Sequence, residues 1–172
     1  AGQTYVKWTF REQAKFFDIV TYTGNGASGR RINHSLGVMA ACIIVKRTDS
    51  SSNWSVYHQG NINGSGSGQN TYRLNTTGAG NNLFTVDRSS STQFIVEPTA
   101  DDDSCNTNGG TYVAYLFASN AGGFGLTGTD NVVSCGTFDA TSAGSVTLGY
   151  EPQWVLIKAS NDVGSWHIQD NM

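Results

Sequence analysis

Leu36-Gly37, then Cys42-Ile43-Ile44-Val45-Lys46, then Trp54-Ser55-Val56-Tyr57-His58 follow one another within residues 36–58. Glycine accepts the backbone of a tight turn, and the β-branched run has the composition of a central strand. Asp49–Asn53 is a polar turn. Beyond it Trp54 and Val56 alternate onto one face of a second strand. The series spells a hairpin packed on a core, and it occurs twice. Residues 33–60 align without a gap on 145–172, which puts Leu36-Gly37 on Leu148-Gly149, Lys46 on Lys158 and Trp54 on Trp166.

A second phrase also returns. Thr4-Tyr5-Val6-Lys7-Trp8-Thr9-Phe10 recurs as Thr111-Tyr112-Val113-Ala114-Tyr115-Leu116-Phe117. The two phrases repeat at offsets of 107 and 112 residues. Such periodicity is the mark of a tandem array whose unit spans about 110 residues, a normal domain size. On this reading residues 1–16 are the end of a preceding repeat or a first strand packing on the main unit. Residues 17–128 form a complete β-sandwich repeat, and 129–172 the first part of the following one. The five extra residues fall in the connector, so the ungapped block is core and the connector is linker.

Working outward, further strands are expected at Thr4–Phe10, Phe17–Tyr22, Arg31–Leu36, Tyr72–Leu74, Asn81–Val86, Thr92–Val96 and Thr111–Phe117. In the second copy they are expected at Asn131–Phe138, Val146–Leu148 and Trp154–Lys158. Asn25-Gly26 is a strong turn signal. Gly/Ser/Asn-rich 61–70 and acidic 97–110 read as exposed loops. No stretch has the pattern of a three-turn helix. Short strands at this spacing, in a chain with 13% charged residues and 21 glycines, predict an all-β fold: antiparallel β-sandwich modules in tandem, with a jelly-roll-like winding.

A net charge of −3 provides no basic field for nucleic acid or anionic lipid. No apolar run approaches the roughly 18–20 residues needed to cross a bilayer, so membrane insertion is not expected. Cys42, Cys105 and Cys135 lack metal-ligand spacing, and their odd number argues for buried or half-buried thiols.

The phrases Thr21-Tyr22-Thr23-Gly24-Asn25-Gly26, Ile32-Asn33-His34-Ser35-Leu36-Gly37 and Gly109-Gly110-Thr111-Tyr112-Val113-Ala114-Tyr115-Leu116-Phe117 resemble a repeat domain of uncharacterised function. That domain is frequent in tail and tail-fibre-like structural proteins of tailed bacteriophages. The likeness covers nearly the whole chain. It departs where the family often has a proline shortly after Leu-Gly: the second copy keeps Pro152, whereas the first has Met39-Ala40-Ala41. The resemblance implies a non-enzymatic virion structural protein of a tail fibre or tail-associated appendage, in which repetition supplies reach and avidity. Other copies of itself or other virion proteins would be its partners, together with host-surface glycan. It carries over no active site and no cofactor.

The residues themselves agree with that expectation. His34 and His58 align with Val146 and Asp170, and His167 aligns with Ser55, so no histidine site repeats; surface or strand-edge positions are expected for all three. No serine stands in a G-x-S-x-G elbow, and no two carboxylates are placed as a glycosidase pair. Asp101, Asp102 and Asp103 are the one carboxylate run, a weak metal candidate because adjacent side chains diverge. Asn33, Asn53, Asn63 and Asn75 begin N-x-S/T sequons, which matter only on a glycosylated surface. Tyr72 and Tyr150 are the candidate glycan-stacking aromatics, whereas Tyr57 also suits a core. The rival readings are a lectin-like carbohydrate-binding module and a subunit of an extracellular filament outside any virion.

Overall fold

The computed structural model describes residues 2–5, 7–61, 71–79, 86–100, 104–141 and 145–171. Ten strands run in chain order: β1 Phe17–Thr23, β2 Arg30–Asn33, β3 Cys42–Arg47, β4 Trp54–His58, β5 Tyr72–Arg73, β6 Val86–Arg88, β7 Gln93–Val96, β8 Thr111–Phe117, β9 Trp154–Ile157 and β10 His167–Asp170. There is no helix among the described residues. The fold is all-β, and every ladder is antiparallel.

A five-stranded sheet in the order β1-β8-β3-β4-β5 lies against a three-stranded sheet in the order β2-β7-β6. The alternation read from sequence sets the inner faces. Ile43 and Val45 of β3, Tyr57 of β4 and Tyr112, Ala114 and Leu116 of β8 meet Ile32 of β2, Val86 of β6 and Phe94 and Val96 of β7 in one core. Period-two burial on facing sheets is what makes a sandwich. β1 pairs with β8 in one sheet and β2 pairs with β7 in the other, a nesting typical of jelly rolls. β4 leaves that winding by folding directly back on β3.

The outer face of the larger sheet carries the cross-strand row Ile19, Tyr115, Ile44, Val56 and Tyr72. The C-terminal segment covers one end of it. The Trp166 ring meets Tyr72 edge-on, and its indole N–H donates to the Arg73 carbonyl at 2.9 Å. Gly164 N–H donates to the Thr77 carbonyl at 2.8 Å.

β9 and β10 form a separate two-stranded sheet. It repeats four of the five rungs of the β3–β4 ladder: Cys42 opposite His58 becomes Trp154 opposite Asp170, and Val45 opposite Ser55 becomes Ile157 opposite His167, while the Lys46–Trp54 rung has no counterpart. Gly37 and Gly149 before the two ladders both take positive φ, 75° and 82°. Lys46 Nζ donates to the Ser52 carbonyl, and Lys158 Nζ to the Ala159 carbonyl, so each lysine ties down its own hairpin loop.

Three expected strands are absent. The described residues of Thr4–Phe10 lie outside any sheet, and Asn131–Phe138 and Val146–Leu148 form no strand either. These segments alternate as strands do, but a strand exists only when its backbone groups find a neighbour. Asn81–Val86 lies outside the described residues except for Val86, which opens β6; β6 continues into Asp87 and Arg88, past the expected end of that strand.

Candidate functional site

Tyr72 is 4% exposed. A glycan-stacking role needs an accessible ring, but β5 pairs with β4 and Trp166 closes over Tyr72. Tyr72 therefore serves packing and offers no face to a sugar. Tyr150 is half-buried. Its hydroxyl donates to Ser134 Oγ at 2.9 Å, and its ring lines a shallow groove of about 420 Å³ with Phe124, Asp130, Asn131 and Leu148. Gly125 shapes this groove, because a Cβ there would stand 1.9 Å from Asp130 Oδ2. The groove lines up apolar side chains with the Asp130 carboxylate and the Asn131 amide.

Asp101, Asp102 and Asp103 lie outside the described residues, as does most of loop 61–70. Among the described residues no group of three or more His, Cys, Asp or Glu could hold a metal ion. In loop 97–110, Ser104, Cys105 and Asn106 are buried rather than exposed. The reason is an interlock with residues 23–30. Asn106 Oδ1 accepts from Asn25 N–H at 3.0 Å and from Arg30 Nη1 at 3.2 Å. Its Nδ2 donates to Asn25 Oδ1 at 2.9 Å and to the Ala27 carbonyl at 2.6 Å. Glu97 closes the same end by accepting from Ser28 Oγ and Gly29 N–H. Sequence reasoning missed this network. The signal was an asparagine, which has both donors and acceptors, inside a glycine-ending loop.

The structure also brings together residues that sequence spacing kept apart. Asp18 and Ser35 line a groove of about 430 Å³ with Glu12, and His34 adjoins them. The hydrogen bonds do not make a charge-relay triad. Asp18 accepts from the backbone N–H of Ser35 at 2.6 Å and of Ile19 at 3.0 Å. His34 Nδ1 accepts from Leu36 N–H at 3.2 Å, so neither Asp18 nor Ser35 holds that nitrogen. The cluster pins the turn after β2. Burial pushes the Cys135 thiol up to about 12 and Cys42 higher still, which keeps both protonated and poor nucleophiles near neutral pH. All three cysteines are thiols, as the odd count suggested.

His34, just past the end of β2, is buried, His58 at the end of β4 is half-buried and His167 is exposed. Gly60 N–H donates to His58 Nδ1 at 3.1 Å, as Leu36 N–H does to His34. Burial lowers both imidazoles below their ordinary value. A depressed folded-state value means the unfolded chain binds protons first. Stability from the neutral imidazoles is then complete above about 6.5 and is lost as pH falls from there through the folded-state values. Thermal melts should show the transition temperature falling between pH 7 and pH 5. His34→Asn with His58→Asn keeps an acceptor near each Nδ1 and should flatten that slope; an equal slope in the double variant would assign it to other groups.

A family described as a domain of unknown function, DUF7483, matches residues 9–172. The chain belongs to this family. The single DUF7483 match runs through both ladders and across residues 128–129. Comparison with curated proteins found no match, and comparison with solved structures found none. For this DUF7483 chain, the physical site descriptions are therefore the interlocked loop end, the Tyr150 groove and the C-terminal hairpin.

Proposed function

We propose that the chain is a non-enzymatic virion structural protein, a bacteriophage tail-fibre or tail-associated component that contributes to assembly and to holding the host surface. The observation that carries this reading is the hairpin built twice in one register, 112 residues apart. A chain that repeats one structural element multiplies one surface, and many weak contacts then sum to strong attachment. The phrase-level resemblance to tail proteins supports the same conclusion. The asparagine interlock supports it too, since a loop end held by internal hydrogen bonds presents a fixed surface. Of the two aromatics considered for host glycan, only Tyr150 has a partly open ring, so glycan contact, if the appendage uses it, belongs to the Tyr150 groove.

Gold-labelled antibody against the chain, imaged on intact phage particles by electron microscopy, tests this assignment. Label on tail appendages is the expected result. Label confined to capsids, or found only on filaments outside virions, would overturn it.

A further inference from the structure

β3 lies between β8 and β4 in the large sheet, and Cys42 is its first residue. The ladder partners of Cys42 are Phe117 on one side and His58 on the other. Ile43 and Val45 point into the core, so Cys42 stands on the outer face of the sheet with Ile44. Cys135, 93 residues later, comes back to this place. It is fastened to the end of β8. Its N–H donates to Ser119 Oγ at 3.0 Å, and its Sγ donates to the Ala118 carbonyl at 3.8 Å. It is also fastened to the end of β4, where Gln59 Nε2 donates to the Cys135 carbonyl at 2.7 Å. Gln59 N–H in turn donates to the Ala41 carbonyl at 2.8 Å. The fit beside it is close: a Cβ on Gly60 would stand 2.4 Å from Thr137 Cγ2.

A residue bonded to β8 on one side and to β4 on the other lies across the strand between them. Neighbouring strands are about 4.8 Å apart, so Cys135 sits over the start of β3, within side-chain reach of Cys42. The two thiols also feel each other: after burial, the nearby Cys135 is the second cause that holds Cys42 protonated. Cys105 is no rival partner. Its carbonyl accepts from the Tyr22 hydroxyl, and Tyr22 is five residues along β1 from Phe17, the rung that leads through Phe117 to Cys42. At about 3.4 Å per residue that separation is roughly 17 Å, whereas a disulfide needs Cα atoms within about 7 Å. In an unfolded chain, loop closure favours residues 105 and 135, only 30 apart, over 42 and 135. The fold reverses that order.

We propose that Cys42 and Cys135 are a disulfide-forming pair, reduced in this structure and closed by a small disulfide oxidant of the oxidised-glutathione class. The Cys135 thiolate, less strongly disfavoured than that of Cys42, attacks one sulfur of the oxidant and expels a glutathione thiolate. The Cys42 thiolate then attacks the Cys135 sulfur of the mixed disulfide and expels the second. The S–S bond of the oxidant breaks and the Cys42–Cys135 bond forms. Two electrons pass to the oxidant, and the two thiol protons leave on two reduced glutathiones. Burial makes this slow in the folded chain, because so little thiolate is present. The product joins the lead-in of the β9–β10 hairpin covalently to the first residue of β3, where only hydrogen bonds held it. Its loop takes in every strand from β3 to β8, so it restricts the unfolded chain strongly. Oxidising surroundings are where such a bond persists.

This pair does not depend on whether the chain belongs to a virion, so thiol chemistry and antibody labelling succeed or fail separately. The intact folded chain is held in a glutathione buffer rich in the oxidised form until its thiol count is constant. A second sample is refolded from urea in the same buffer, so that slow access to buried thiols does not hide the equilibrium. A third stays in urea and shows which pairs form without a fold. After alkylation, mass spectrometry of the native samples should find a chain lighter by two hydrogens, with one alkylated cysteine in place of three. Digestion should link Cys42 to Cys135. Cys105→Ser should close in the same way, whereas Cys42→Ser and Cys135→Ser should form no internal bond. Three alkylated cysteines in both native samples overturn the proposal. So does glutathione left on Cys42 or Cys135 of the native chain, or a Cys42–Cys135 link no more abundant there than in urea.

Discussion

Asn106→Ala is expected to lower the unfolding free energy by about 2–4 kcal/mol, measured by urea denaturation. The side chain is fully buried and makes four hydrogen bonds that cross from one loop to another. Alanine removes all four bonds at once, and at roughly 1 kcal/mol net for each bond the loss adds up even though Asn25 and Ala27 themselves are exposed to water. Arg30 also loses an acceptor, although it stays over the Tyr22 ring at 5.8 Å and donates to the Thr23 carbonyl. Burial pushes the Tyr22 phenol upward, so it remains a donor to the Cys105 carbonyl, 2.8 Å away. That bond holds the loop from the other side but cannot replace the asparagine. A loss below about 1 kcal/mol would mean that water takes over the stranded groups and that the interlock is not what fixes this end.

Gly24→Ala should cost about 3 kcal/mol or more. A Cβ at this position would stand 2.0 Å from the Thr107 carbonyl oxygen and 3.0 Å from its carbon. Both atoms are backbone, so no side-chain rotation relieves the clash. Moving the strands apart would break the bonds from Gly24 N–H to Gly110 O at 2.7 Å and from Gly109 N–H to Gly24 O at 3.0 Å. Gly37→Ala is the control. It has open space and φ of 75°, so only the left-handed backbone penalty of about 1 kcal/mol applies. If the two alanine variants melt alike, the close approach at Gly24 is relieved by movement that the rest of the loop tolerates. Combining Gly24→Ala with Asn106→Ala should give less than the sum, because both open the same pair of loops.

Alternation located most of the sandwich. β1, β3, β4, β7 and β8 fall where the period-two runs place them, because each buries one face against a partner sheet close by in the fold. Thr4–Phe10 shows where that logic stops. It alternates as β8 does, but alternation encodes a face to bury and says nothing about whether an edge is present to pair with. Asn131–Phe138 differs from the sequence expectation for the same reason. Tyr72 eluded sequence reasoning because what covers it, Trp166, lies far along the chain. Asn106 eluded it because a loop rich in polar residues reads as solvated whether its amides face water or another loop. His34 stands at the end of β2, a position that suggests solvent, but the turn into Gly37 folds it inward beneath its own backbone.

The pairing of Phe17 with Phe117 has a mechanical consequence. The chain comes into this unit and goes out of it on adjacent strands, at the same end of one antiparallel ladder. Tension applied through those two points would peel β1 from β8 one rung at a time, starting at the aromatic pair, instead of loading all seven rungs in shear. The span between them is thus a side loop of the chain path and adds almost nothing to its contour. A chain pulled through these two points would open from this corner first.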